Sequence, residues 1–251
     1  MNLKMLRTSF LITPLFLTCL QAYAGTDGFV YPKNPDGSEN KNIIVDYIGK
    51  KKQIIIPNSV TKIGEGAFWD NDLTSITIPN SVTKIGGYAF SKNNLTSVII
   101  PDSVTKIGEY AFFDNDLISV KIPNSVINLG EGAFKDNALT SVIIPDSVTE
   151  IESGTFGNNA LTSVTISNSV TEIESRAFYN NKLTSVIIPN SVTFIGLMAF
   201  KYNKLTSVII PYSVATIESS AFATNKLTSV TIPDSDTFIG KGAFDADVTI
   251  K

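Results

Sequence analysis

The sequence contains no histidine, and its one cysteine, Cys19, lies in an apolar stretch near the start. Once that stretch is removed, the chain has neither imidazole nor thiol. The common pairings of a nucleophile with a base are then missing. Only carboxylates remain for acid–base work, so the chain is not expected to be an enzyme and no cofactor is expected. Disulfides are excluded as well; a solenoid with a long core can do without them. Charge is sparse, with 20 basic and 23 acidic residues and a net charge of −3. Nothing in that balance draws the chain to nucleic acid. Long apolar runs are also missing, apart from Phe10 to Leu20, which is too short to span a membrane comfortably.

Residues 1–24 read as a secretory signal. Lys4 and Arg7 supply the charged start, and Ala22-Tyr23-Ala24 is a small-x-small cleavage site before Gly25. A lipoprotein box ending at Cys19 is the rival reading, and Phe16 and Thr18 fit it poorly. The expectation is a secreted or cell-envelope protein cleaved after Ala24, with no membrane insertion after the signal is removed. Residues 25–53 are turn-rich and then strand-like, with Lys50, Lys51 and Lys52 in a row. They are expected to cap the open N-terminal end of a stacked sheet, the lysines discouraging further pairing.

What is present in abundance is repetition. Pro57, Pro79, Pro101, Pro123, Pro145, Pro189, Pro211 and Pro233 recur every 22 residues, with Ser167 breaking the row. Phe68, Phe90, Phe112, Phe134, Phe156, Phe178, Phe200, Phe222 and Phe244 keep the period without a gap, and an asparagine row from Asn71 to Asn225 does the same. A fixed period of this length predicts a solenoid of about nine coils over 54–251. Apolar content of 43% is enough to fill a continuous core. Within a repeat, Leu73, Ile76 and Ile78 alternate with Ser75 and Thr77, which predicts a strand. Pro79 ends it, having no N–H to give. Val82 and Ile85 re-enter the core as a second strand or extended segment. Ala89-Phe90 is expected on a single helical turn. Asn93 is expected to bond the backbone of its own coil and the next. The phenylalanine row is read as core. Asp236 replaces the valine of every earlier copy, and Val248-Thr249-Ile250 arrives early for the period, so a minimal C-terminal cap is expected there.

The form Leu-Thr-Ser-Val-x-Ile-Pro-x-Ser-Val-Thr-x-Ile-Gly-x-x-Ala-Phe resembles the leucine-rich repeats of the BspA-like subclass. It departs from the general leucine-rich signature where serine stands for the usual asparagine or cysteine and valine comes one residue early. The resemblance implies a right-handed, mainly β coil with one long parallel sheet, short second strands or extended segments, and short helical turns. It also implies a secreted or surface protein that binds other proteins, in adhesion or host interaction. The family brings no shared catalytic residue.

Any chemistry would lie in the outward rows. Ile99, Ile143, Ile187 and Ile209 interrupt a hydroxyl-rich sheet face. They read either as a contact strip or as residues that merely suit strands. The row Asp72, Asn94, Asp116, Ala138, Ala160, Lys182, Lys204, Lys226 passes from acidic to basic along the axis. Three lysines in line repel. They point either to an acidic partner or to repeat duplication followed by drift. Trp69, Tyr179 and Tyr202, with Phe113, lie in loops, as contact anchors or as loop packing. Glu150, Glu152, Glu172 and Glu174 form one outward carboxylate patch. It reads as a solvated face, as part of a Ca²⁺ site needing six to eight oxygens, or as paired carboxylates for glycoside hydrolysis. No cleft is expected beside them. The reading reached is protein recognition, with a carbohydrate- or lattice-binding surface as the alternative and a carboxylate-based hydrolase behind it.

Overall fold

The structure, a computed structural model, describes residues 27–233 and 236–251. The expected secretory signal lies outside the described residues. From residue 43 onward the chain winds into stacked coils; each contributes a short second-row strand that pairs in parallel with its neighbours, and most contribute a first-row strand as well, though residues 97–99 and 119–121 of that row are not regular strand. The second strand of each coil forms two five-stranded ladders. One runs Ile43–Ile44, Lys62–Ile63, Lys84–Ile85, Lys106–Ile107 and Asn128–Leu129; the other runs Glu150–Ile151, Glu172–Ile173, Phe194–Ile195, Thr216–Ile217 and Phe238–Ile239. The register is strict: Lys62 faces Lys84, Lys84 faces Lys106, and Glu150 faces Glu172.

The first strand row is cut into two-stranded pieces, such as Ser141–Ile143 with Ser163–Thr165 and Ser185–Ile187 with Ser207–Ile209. Regular pairing is therefore more continuous in the second row than in the one expected to carry the long sheet. A proline follows two residues after each of these first-row strands in most coils and ends the ladder there, leaving few bonds per step. At Ser167, where the proline row breaks, the hydroxyl donates instead to the Asp146 carboxylate of the coil before.

The core is a set of apolar columns and a spine. Leucine, isoleucine and valine columns from both strand rows are buried, and the phenylalanine column from Phe68 to Phe222 has essentially no exposed surface. Neighbouring rings stack at 5.2 to 5.9 Å. Each buried phenylalanine contributes on the order of 1.5–3 kcal/mol. The spine is asparagine. Asn93 Nδ2 donates to Phe68 O at 2.8 Å and Phe90 O at 2.9 Å, while its Oδ1 accepts from Leu73 N at 2.8 Å. Asn115, Asn137, Asn159, Asn181, Asn203 and Asn225 repeat the arrangement. The reach is to the preceding coil rather than to the following one. Serines help on another edge: Ser81 Oγ donates to Val60 O at 2.7 Å, again one coil back.

The expected helical turn at Ala89-Phe90 is absent; among the described residues there is no helix. That arc is a run of turns, for two reasons. Its donors are used between coils, with Tyr88 N, Phe90 N and Lys92 N bonding Glu109 O, Ala111 O and Phe113 O at 2.8 Å each. A helix would need those N–H groups for its own carbonyls. Tyr88 and Lys92 also take left-handed φ of 54° each, which ends a right-handed turn on both sides.

At the start, Phe29–Val30 pairs antiparallel with Asp46–Tyr47, and Phe29 and Tyr47 pack on Phe68 at ring distances of 6.2 and 5.6 Å. Ile43–Ile44 already joins the second strand row, so the coil pattern begins inside the segment 25–53. At the other end Thr249 faces Ser229, twenty residues on rather than 22, and Asp236 is exposed.

Candidate functional site

The first strand row presents its outward side chains as two columns. Serines from Ser75 to Ser229 form one. The second carries Ile99 and Ile187 at 84% exposure, Ile209 at 78% and Ile143 at 69%. In-and-out alternation sets this: Val186, in the strand Ser185–Ile187, and Val98, at the matching place outside a regular strand, turn into the core, and their neighbours face solvent. Ile55, 75% exposed, belongs to the same column and was not singled out from sequence, because it precedes the first full Leu-Thr-Ser repeat. Lys121 interrupts the column. In its last three coils the column is flanked by a shallow hollow of about 570 Å³ beside Ile209, Pro211, Tyr212 and Pro233, with Tyr212 76% exposed.

Lys182, Lys204 and Lys226 stand exposed at the other margin of this face, one per coil. Among the described residues no ion pair joins any of them. The acidic start of the same row differs, since Asp72 accepts Lys52 Nζ at 2.7 Å. The last three coils therefore offer lysine, serine and isoleucine or threonine in parallel columns, a basic margin beside an apolar strip.

The loop aromatics are engaged with neighbouring coils. Tyr179 and Tyr202 meet edge to face at 5.4 Å, and Lys201 Nζ lies 5.1 Å above the Tyr202 ring. Lys92 Nζ lies 5.8 Å above the Trp69 ring. Sequence reading passed over Tyr88 and Tyr110, which stack at 5.2 Å, with Tyr110 also edge-on to Phe113 at 5.7 Å. Their spacing of one period was the available signal.

The carboxylates do converge. One oxygen each of Glu150, Glu172 and Glu174 lies within 4.8 Å of the others. Burial, then Glu152, Glu172 and Glu174, push the Glu150 carboxyl above its ordinary range; burial, then Glu174 and Glu131, do the same to Glu152. Three converging oxygens fall short of what Ca²⁺ takes from a protein cage. A groove does exist beside them, contrary to the expectation of a flat face. It encloses about 610 Å³ and is lined by Glu65, Glu109, Glu131, Glu150 and Glu152 around Gly87, Gly108 and Gly130. The glycines form it. A Cβ on Gly108 would sit 2.4 Å from Gly87 N, so only a bare backbone lets successive coils approach there. Tyr110 holds one of the lining carboxylates, its hydroxyl donating to Glu131 Oε1 at 2.7 Å; burial and that bond push its ionisation well up.

Among curated proteins none matches the chain. Among solved structures, a leucine-rich repeat protein from Bacteroides ovatus aligns with a TM-score of 0.72 at 23% identity, over 96% of this chain and 71% of its own. A leucine rich cell surface protein from Faecalibacterium prausnitzii aligns with a TM-score of 0.57 at 26% identity, over 92% and 76%. The first likeness shows the fold. The model of the BspA type leucine rich repeat region matches residues 46–160 and 128–251, in six copies. No helix among the described residues is long and apolar enough to cross a membrane. With four-fifths of its residues under that match and its coils in register, this chain belongs to the BspA-type leucine-rich repeat proteins.

Proposed function

We propose that this chain is a secreted or cell-surface recognition protein that binds another protein through the outward face of its first strand row. The observation that carries this is the exposed isoleucine column. Ile99, Ile143, Ile187 and Ile209 are all more than two-thirds exposed and in line on a rigid face. Scattered apolar residues need no explanation, but an aligned apolar strip marks a contact surface. Lys182, Lys204 and Lys226 at its margin select an acidic partner and speed encounter more than they add affinity. The surface location rests on the signal-like residues 1–24 and on the family, one of whose solved relatives is described as a cell surface protein. Host surfaces and neighbouring cells are the places where such a partner would be met. Trp69, Tyr179 and Tyr202 extend the candidate contact onto the loops.

Affinity would be spread over several coils. The test is binding of the purified chain to arrayed host-cell and envelope proteins. It is repeated with Ile143, Ile187 and Ile209 each changed to Lys and, separately, with Lys182, Lys204 and Lys226 changed to Glu. Loss of a partner at least tenfold in the isoleucine variant supports the reading. A partner that both variants bind as well as the original would remove this face from consideration.

A further inference from the structure

In the five coils centred on Asn128, the second strand row carries a charge pattern that meets its opposite sign on a second copy turned end for end. Along the axis the outward residues run Lys62, Lys84, Lys106, Asn128, Glu150, Glu172. Asn128 is the centre. One coil before it stands Lys106 and one coil after it Glu150; two coils away stand Lys84 and Glu172. Within a single chain this pattern is unfavourable. The lysines are paired in register with lysines, and Glu150 with Glu172, and like charges directly opposite repel. Among the described residues no ion pair relieves Lys84, Lys106, Glu150 or Glu172.

A second feature marks the same centre. The position before the charged residue is threonine in seven coils and alanine at Ala215, but in the central coil it is Ile127, 62% exposed. The two five-stranded ladders also divide here, between Asn128–Leu129 and Glu150–Ile151. The groove of about 610 Å³ opens at this place, with Lys106, Ile127, Asn128 and Glu150 on its wall.

We propose that this chain forms an antiparallel homodimer through the second strand row, about a two-fold axis running along the strands of the Asn128 coil. Such an axis reverses the order of coils and keeps each column facing itself. Lys106 then lies opposite Glu150 of the second copy and Lys84 opposite its Glu172, and both pairs occur twice, as an isologous contact requires. Ile127 meets its own copy on the axis, an apolar centre inside a charged ring. Thr105 and Thr149 face each other across it. Glu131 in the central coil is the carboxylate brought towards its own copy, and it is held by the Tyr110 hydroxyl. The face is separate from the isoleucine column, so the dimer leaves the proposed partner-binding row open on both copies. Five coils span on the order of 20 Å. That places the contact at the small end of specific interfaces, weak and sensitive to salt.

Sedimentation velocity on the purified chain tests this without any substitution. Dimer is expected at about 20 mM salt, with association at least tenfold weaker at about 500 mM, where the screening length falls to a few ångströms. Two double variants then locate the face. K84E with K106E makes all four charged positions flanking Asn128 acidic, and E150K with E172K makes all four basic. Each alone is expected to be monomeric, and a mixture of the two is expected to form a heterodimer. A chain that stays monomeric at low salt would overturn the proposal. So would a dimer that survives both double variants, or a mixture that does not associate.

Discussion

Two backbone positions in each coil but the last hold φ between 51° and 63°. Glycine fills the first at Gly66, Gly132, Gly154 and Gly242, but Tyr88, Tyr110, Arg176, Met198 and Ser220 take it elsewhere. Aspartate or asparagine fills most of the second, where their short polar side chains tolerate the left-handed region. Thr224, β-branched, is the exception that the backbone should resist most. Thr224→Asn is expected to stabilise the chain by about 1 kcal/mol, seen as a higher urea midpoint at unchanged slope. The asparagine spine works in the opposite sense. Asn137→Ala strands Leu117 N inside the stack, at about 1–3 kcal/mol for a buried group left unpaired, and leaves Phe112 O only the longer bond from Asn115 Nδ2 at 3.3 Å. It should therefore lower the urea midpoint by more than any surface substitution. Glu150 and Glu152 give a pH effect whose sign can be worked out. Their folded carboxyls bind protons more readily than in the unfolded chain. The folded state then gains relative stability as pH falls from neutral towards the raised folded values. With the protein dilute enough to be monomeric, a melting temperature that rises on mild acidification in the original but less in Glu150→Gln is the expected result.

At the scale of the coil, the columns were legible and the hydrogen bonding was not. Phenylalanine, asparagine, serine and proline recur at a single period, so their alignment in space followed from counting. Ala89-Phe90 was misread as a helical turn because a short apolar pair does not by itself distinguish a helical turn from a run of other turns. The bonds that decide it run from Phe90 to Ala111 and from Tyr88 to Glu109 in the next coil, and no local window contains them. The groove beside Glu131 was hidden for a similar reason. Gly86, Gly108 and Gly130 recur at the period, but only the stacked coils show that their missing side chains let one backbone settle against the next. The isoleucine column was visible from alternation alone, because strand geometry leaves each of those residues only one other face. The coil also predicts its own gradient. Phe134, fully buried between stacked rings, should cost about 3–5 kcal/mol when changed to alanine. Phe244, with a ring on one side and 7% exposed, should cost less, as paired urea titrations of the two variants would show.

Across the whole molecule, contacts join each coil to its immediate neighbours and to little else, so stability is nearly a sum along one dimension. Excision of residues 183–204, one full period, should leave a folded protein whose denaturant slope falls by roughly a tenth, in proportion to the surface lost. Excision of a single residue from the same coil should cost more for its size, since that coil can no longer match all of its columns to both neighbours. The strict register of 22 residues has a further consequence for heredity. Units this alike in amino-acid sequence and this alike in their contacts can be gained or lost one at a time. Each such event would add or remove a whole storey and leave the rest of the tower standing. The height of the rod, and so the distance at which it displays its faces, can drift quickly between lineages while its cross-section stays fixed.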